Sequence, residues 1–126
     1  MSMPRLLMVN AFIGTAGYKT LYQELGFAVV AEWSERKAIG ALRKAPPAVM
    51  VADFYHQTDF RDRLSNLESV LAAAQAAPQT RILVFYEPSH QAVLDTVRTR
   101  LRIDAALPLP VDESALRAIL TGWLAR

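Results

Sequence analysis

The chain has 126 residues, 52% of them hydrophobic and 21% charged, with 14 Lys and Arg against 12 Asp and Glu and a formal net charge of +2. That length and apolar content suit one domain, residues 1–126, able to bury its own core, and the lack of cysteine excludes disulfides, thiolate catalysis and cysteine-ligated metal. Although the pI is about 9.2, the arginines are dispersed apart from Arg98, Arg100 and Arg102, so no basic stripe is offered to a phosphate backbone and direct nucleic-acid binding is not expected.

Apolar runs of strand length alternate five times with stretches of helical period, the pattern of βαβ units that build a parallel sheet covered on both faces. Residues 5–9 form the first strand, and their apolar part is too short for a signal peptide or a membrane span, so a cytoplasmic location without membrane association is expected. After Gly14 and Gly17, the series Tyr18, Leu21, Tyr22, Leu25 keeps helical spacing until Gly26 stops it. Residues 28–33 read as the second strand. Residues 35–45 follow as a helix with Ala38, Leu42 and Ala45 on one face, ended by Pro46 and Pro47. The third strand, residues 48–52, is wholly apolar and finishes on Asp53. A polar stretch, residues 55–59, leads into a long helix with Leu64, Leu67, Leu71 and Ala74 inward, closed by Pro78. Residues 82–86 form the fourth strand, after which Ser89 is the expected N-cap of a helix burying Val93, Val97 and Leu101. Residues 105–109 make a short fifth strand. Asp112 then caps a last helix whose Leu116, Ile119, Leu120, Trp123 and Leu124 fall on one core-facing stripe.

Five βα units in this length, with a lone carboxylate closing the third strand, resemble the receiver domain of bacterial response regulators, and the resemblance covers essentially the whole chain. It implies an α/β fold of flavodoxin-like (βα)5 type, a three-layer sandwich with a parallel sheet in the order 2-1-3-4-5. The first and third strands then end together at a topological switch point, where open α/β sheets bind ligands. The resemblance also implies a site. Receivers carry an acidic pair after strand one, a phosphoacceptor Asp after strand three, a Ser or Thr after strand four and a Lys-Pro after strand five. The acidic pair holds Mg²⁺, which offsets the phosphoryl charge, while the lysine and hydroxyl bind the phosphoryl oxygens.

Matched onto this sequence, the acceptor survives as Asp53 in Val49-Met50-Val51-Ala52-Asp53. Asn10 and Ala11 stand at the acidic-pocket positions after Leu6-Leu7-Met8-Val9, Tyr86 stands where the small hydroxyl residue is expected, and Leu107-Pro108-Leu109-Pro110 keeps the proline but has Leu109 in place of lysine. With both acidic ligands missing, Mg²⁺ binding at Asp53 is expected to be weak or absent, and no other cofactor and no catalysis are expected. The apolar framework is intact while the chemical positions depart, the pattern of a degenerate pseudo-receiver. Its expected role is a phosphorylation-independent module of two-component signalling that acts on protein partners, a histidine kinase or an output protein.

Other readings of the same residues stand beside this one. Asp53 in a modified site could still accept a phosphoryl group, or could serve as a turn or capping residue. Tyr86 reads as a rim residue with a buried ring and a wet hydroxyl. His56 and His90 with Asp53 and Glu87 could converge, but they follow no metal-ligand spacing, so a metal is not expected. The segment Gly14-Thr15-Ala16-Gly17-Tyr18-Lys19-Thr20 lacks Walker spacing, which leaves a flavodoxin-like mononucleotide or small-ligand site as an alternative from another functional class. On the face of the fourth helix, fifth strand and fifth helix, Arg98, Arg102 and Arg117 are candidate partner contacts. With Asp95 and Asp104 they could form cross-subunit ion pairs in a homodimer.

Overall fold

The computed structural model describes residues 3–9, 16–54 and 67–125. Five strands, β1 (Arg5–Val9), β2 (Ala28–Glu32), β3 (Val49–Phe54), β4 (Arg81–Tyr86) and β5 (Ala105–Pro108), pair in parallel in the order β2-β1-β3-β4-β5. Between and after them run α1 (Lys19–Glu24), α2 (Glu35–Lys44), α3 (Glu68–Ala74), α4 (Gln91–Arg98) and α5 (Glu113–Leu124), with short 3₁₀ turns at Ala16–Tyr18 and Pro88–His90. The expected strand order is therefore the observed one, and it belongs to the flavodoxin-like α/β class.

Alternation along the strands divides the core in two. Leu7, Val9, Met50, Ala52, Ile82 and Val84 face α2, α3 and α4, where Leu42, Leu71, Leu94 and Val97 close the layer. Leu6, Met8, Val49, Val51, Leu83 and Phe85 face α1 and α5, where Leu21, Tyr22, Leu116 and Leu120 do the same. Every residue of β3 is buried, which is why its sequence is apolar without alternation from Val49 to Ala52, with Asp53 the one charged residue taken into the strand. Burying a side chain such as Leu71 completely contributes about 1.5–3 kcal/mol.

Polar groups fix the ends. Gly26, at φ 102°, ends α1: its N–H donates to the Gln23 carbonyl, and the Phe27 N–H donates to the Tyr22 carbonyl. This paired closure needs a left-handed residue, and glycine adopts that conformation without strain. Ser34 caps α2 by accepting from the Lys37 N–H at 3.2 Å, and Asp112 caps α5 by accepting from the N–H groups of Ser114 and Ala115. Those hydrogen bonds, the Ser114 hydroxyl's first, hold the exposed Asp112 carboxyl below its usual range. Beneath the sheet, Asp104 accepts from the Ile82 N–H at 2.7 Å and from the Arg102 guanidinium, which also donates to the Thr80 carbonyl at 3.1 Å.

Several details differ from expectation. Ser89 lies inside the 3₁₀ turn and does not cap α4, whose N-terminal flank is His90 with no side-chain cap; Pro88 favours the turn and delays the helix. The buried positions of α4 are Leu94 and Val97, while Val93 and Leu101, the latter past the helix end, are half-buried at the margin of the same cluster. On α5, Leu116 and Leu120 are buried, but Leu124 is 37% exposed, since it lies in the last turn at the rim of a groove shared with Phe27 and Ala48. β2 stops at Glu32 and leaves Trp33 58% exposed, while β3 continues through Asp53 to Phe54. The expected inward Leu64 lies outside the described residues.

Candidate functional site

The C-terminal ends of β1, β3, β4 and β5 converge on one edge of the sheet. Val9 is registered with Ala52, Asp53 with Phe85, Phe54 with Tyr86, and Tyr86 with Pro108. Asp53 thus sits one step past the end of β1, at the point where the chain order reverses. It is a strand residue, 8% exposed, and does not lie on a turn. By alternation it projects to the α1 and α5 side, with Val49 and Val51.

That side is aromatic and apolar. Phe85 lies beside Asp53 in register, and the Tyr18 ring meets Phe85 edge-on at 6.1 Å while its hydroxyl donates to the Val111 carbonyl at 3.3 Å. Tyr22, one turn further along α1, is fully buried, and its hydroxyl has no hydrogen-bond partner among the described residues. Burial first, then the negative charge of Asp53, then the Tyr18 phenol, push the Tyr22 phenol well above its usual value, so it stays protonated. Leu109 occupies the position after β5 and is half-buried against the same layer. Its N–H donates to the Tyr86 carbonyl at 2.8 Å, and the Leu109–Pro110 peptide is cis.

Tyr86 projects to the other face and is fixed there. Its hydroxyl donates to Gln91 Oε1 at 2.6 Å, and Gln91 Nε2 donates to Asp95 Oδ1 at 2.9 Å. The hydroxyl expected to be wet is therefore bonded, the first member of a chain leading from the end of β4 to the outer surface of α4. Burial of the ring places the hydroxyl within reach of α4, and the amide of Gln91 both accepts and donates there.

Other candidates are distributed differently. Asn10, Ala11, Gly14, Thr15 and His56 lie outside the described residues. Lys19 is exposed at the start of the six-residue α1. Among the described residues no three His, Cys, Asp or Glu side chains gather as a metal would require. Arg98 is exposed and donates to the Ile103 carbonyl at 3.0 Å. Arg102 is committed inward, to Asp104 and to backbone carbonyls, and its own N–H donates to Gln75 Oε1 at 3.0 Å. Arg117 reaches Glu24 at 3.7 Å and Glu113 at 3.5 Å across the surface between α1 and α5. Sequence reasoning did not single out Tyr22 or Gln91 as site residues. A phenol on the inward stripe of a helix, and an amide five residues after a buried tyrosine, were the signals available.

No protein-family model matches the sequence, and no curated protein matches it. Solved structures do. The fold is that of a response-regulator receiver, of the CheY-like kind. A CheY-like receiver domain protein from Methanospirillum hungatei JF-1 matches with a TM-score of 0.74 at 14% identity, over 98% of this chain and 96% of that one. The signal receiver domain of a Luxo repressor protein from Vibrio parahaemolyticus matches with a TM-score of 0.73 at 15% identity, over 99% and 92%. A LuxR-family two-component response regulator from Aurantimonas sp. SI85-9A1 matches with a TM-score of 0.67 at 21% identity, over 99% and 88%. No described helix is long and apolar enough to cross a membrane.

Proposed function

We propose that this chain is a non-catalytic, receiver-like signalling module of two-component type that works by binding protein partners, without needing phosphorylation of Asp53. The observation that carries the reading is the pair of residues closing β4 and β5. Tyr86 is bonded to α4 through Gln91, and Leu109 is an apolar group packed toward α1 and α5. A receiver switch needs groups that gain contacts in one state and lose them in the other, because a modification with no differential interaction shifts no equilibrium. An apolar Leu109 offers no charge to a phosphoryl group, and Tyr86 already has its partner. Output then belongs to the α4-β5-α5 surface, where Arg98 is the outward-facing arginine of the three proposed contacts and Arg102 supports the surface from beneath, while Arg117 is turned toward Glu24 of α1.

A second reading is favoured by one feature: Asp53 is a carboxylate at the switch point of this sheet, the place a phosphoacceptor would occupy. The two are separated by partner capture with the purified chain as bait, followed by affinity measurement against the captured kinase or output protein. On the leading reading, Asp53→Ala leaves affinity nearly unchanged and Arg98→Glu lowers it on the order of tenfold, as loss of a complementary contact does. Affinity that collapses in Asp53→Ala, with the circular dichroism spectrum intact, points to the second reading.

A further inference from the structure

The two edges of the sheet are not equally protected. β5 is four residues long and ends in Pro108, which cannot extend a ladder. β2 reads Ala28-Val29-Val30-Ala31-Glu32, with no proline or lysine; Val30 is 41% exposed, and the following Trp33 is 58% exposed. Among the described residues β2 pairs with β1 alone. The Ala28 N–H donates to the Pro4 carbonyl, so the polar groups of Ala28, Val30 and Glu32 point to β1, and those of Val29 and Ala31 point outward. An unpaired, apolar outer edge of this kind is a template for another strand.

The geometry points to a second copy of this chain as the occupant, joined antiparallel through β2 about a two-fold axis at Val30. In that register each Val29 faces the other copy's Ala31, and each such pair exchanges both of its outward N–H and C=O groups, while the two Val30 side chains meet on the axis. The charges favour the same register. Glu32 is half-buried and has no ion-pair partner among the described residues, and it would fall opposite Ala28 of the other copy. Beyond that small side chain, on the same face, lies Arg5, registered with Ala28, and the exposed Lys44 lines the same apolar groove as Arg5 and Val30. The two-fold therefore brings each Glu32 toward a cationic rim, once at each end of the strand pair. This interface leaves the α4-β5-α5 surface open, so a dimer could still carry two partners.

Sedimentation velocity over a concentration series tests it on the purified chain. Wild type is expected to show a monomer–dimer equilibrium. Val30→Lys puts two ammonium groups on the axis and should weaken it by at least about tenfold. Glu32→Lys should weaken it similarly, and Glu32→Lys with Lys44→Glu should recover part of the loss, a rescue that a structural role for Glu32 would not give. Val30 and Lys44 are exposed and Glu32 is half-buried, and circular dichroism checks that each variant folds. A wild-type chain that stays monomeric, whatever strand of another protein pairs there, overturns the inference. A dimer indifferent to Val30→Lys and Glu32→Lys overturns it too, and points to another face.

Discussion

Tyr22 is where the site differs most from a purely structural one. Its hydroxyl is fully buried with no hydrogen-bond partner among the described residues, and a buried polar group left without one costs about 1–3 kcal/mol. Tyr22→Phe keeps the ring in the core and removes that cost. It should raise stability by about 1 kcal/mol at neutral pH in urea unfolding. The pH dependence has a definite sign. Because the folded-state phenol is raised above 10.0 and the unfolded one is not, its contribution is fully present below 10.0 and is lost as pH rises beyond it. Wild type should therefore lose stability more steeply than Tyr22→Phe in alkaline solution. A variant less stable than wild type at neutral pH would mean that the hydroxyl is bonded in solution. This residue was legible from its spacing as a core position, but its relation to Asp53 was not, since helix one and strand three meet only through the fold.

At the scale of elements, the strands were readable because burial on both faces leaves a continuous apolar run, as at Val49 to Ala52 in β3, and helix ends were readable where a cap has its own chemistry, as at Ser34, Gly26 and Asp112. Ser89 misled because a hydroxyl after proline satisfies the cap pattern equally well inside a 3₁₀ turn. The arginine cluster misled in another way: Arg102 reads as surface charge, but in the fold it ties the start of β5 to the residues around the start of β4. Arg102→Ala removes charge-assisted bonds to Asp104 and the Thr80 carbonyl and should destabilise the chain by about 2 kcal/mol. Chemical denaturation measures that loss, which should well exceed that of Arg98→Ala. Equal small losses from both would show that the Arg102 contacts contribute little in solution.

For the whole molecule, strand alternation and element order led to the sheet topology, and the topology located the site. Which residues stand at the strand ends around Asp53 was readable from the motif comparison, as with Leu109 and Tyr86. How they are held was not, because the Tyr86–Gln91–Asp95 chain depends on where α4 begins. In the proposed function, the output of this receiver-like fold does not depend on phosphorylation at Asp53. The direct test is intact-mass spectrometry of the purified chain after incubation with acetyl phosphate and Mg²⁺. The mass should remain that of the unmodified chain; a stoichiometric gain of one phosphoryl group, abolished by Asp53→Asn, would contradict it.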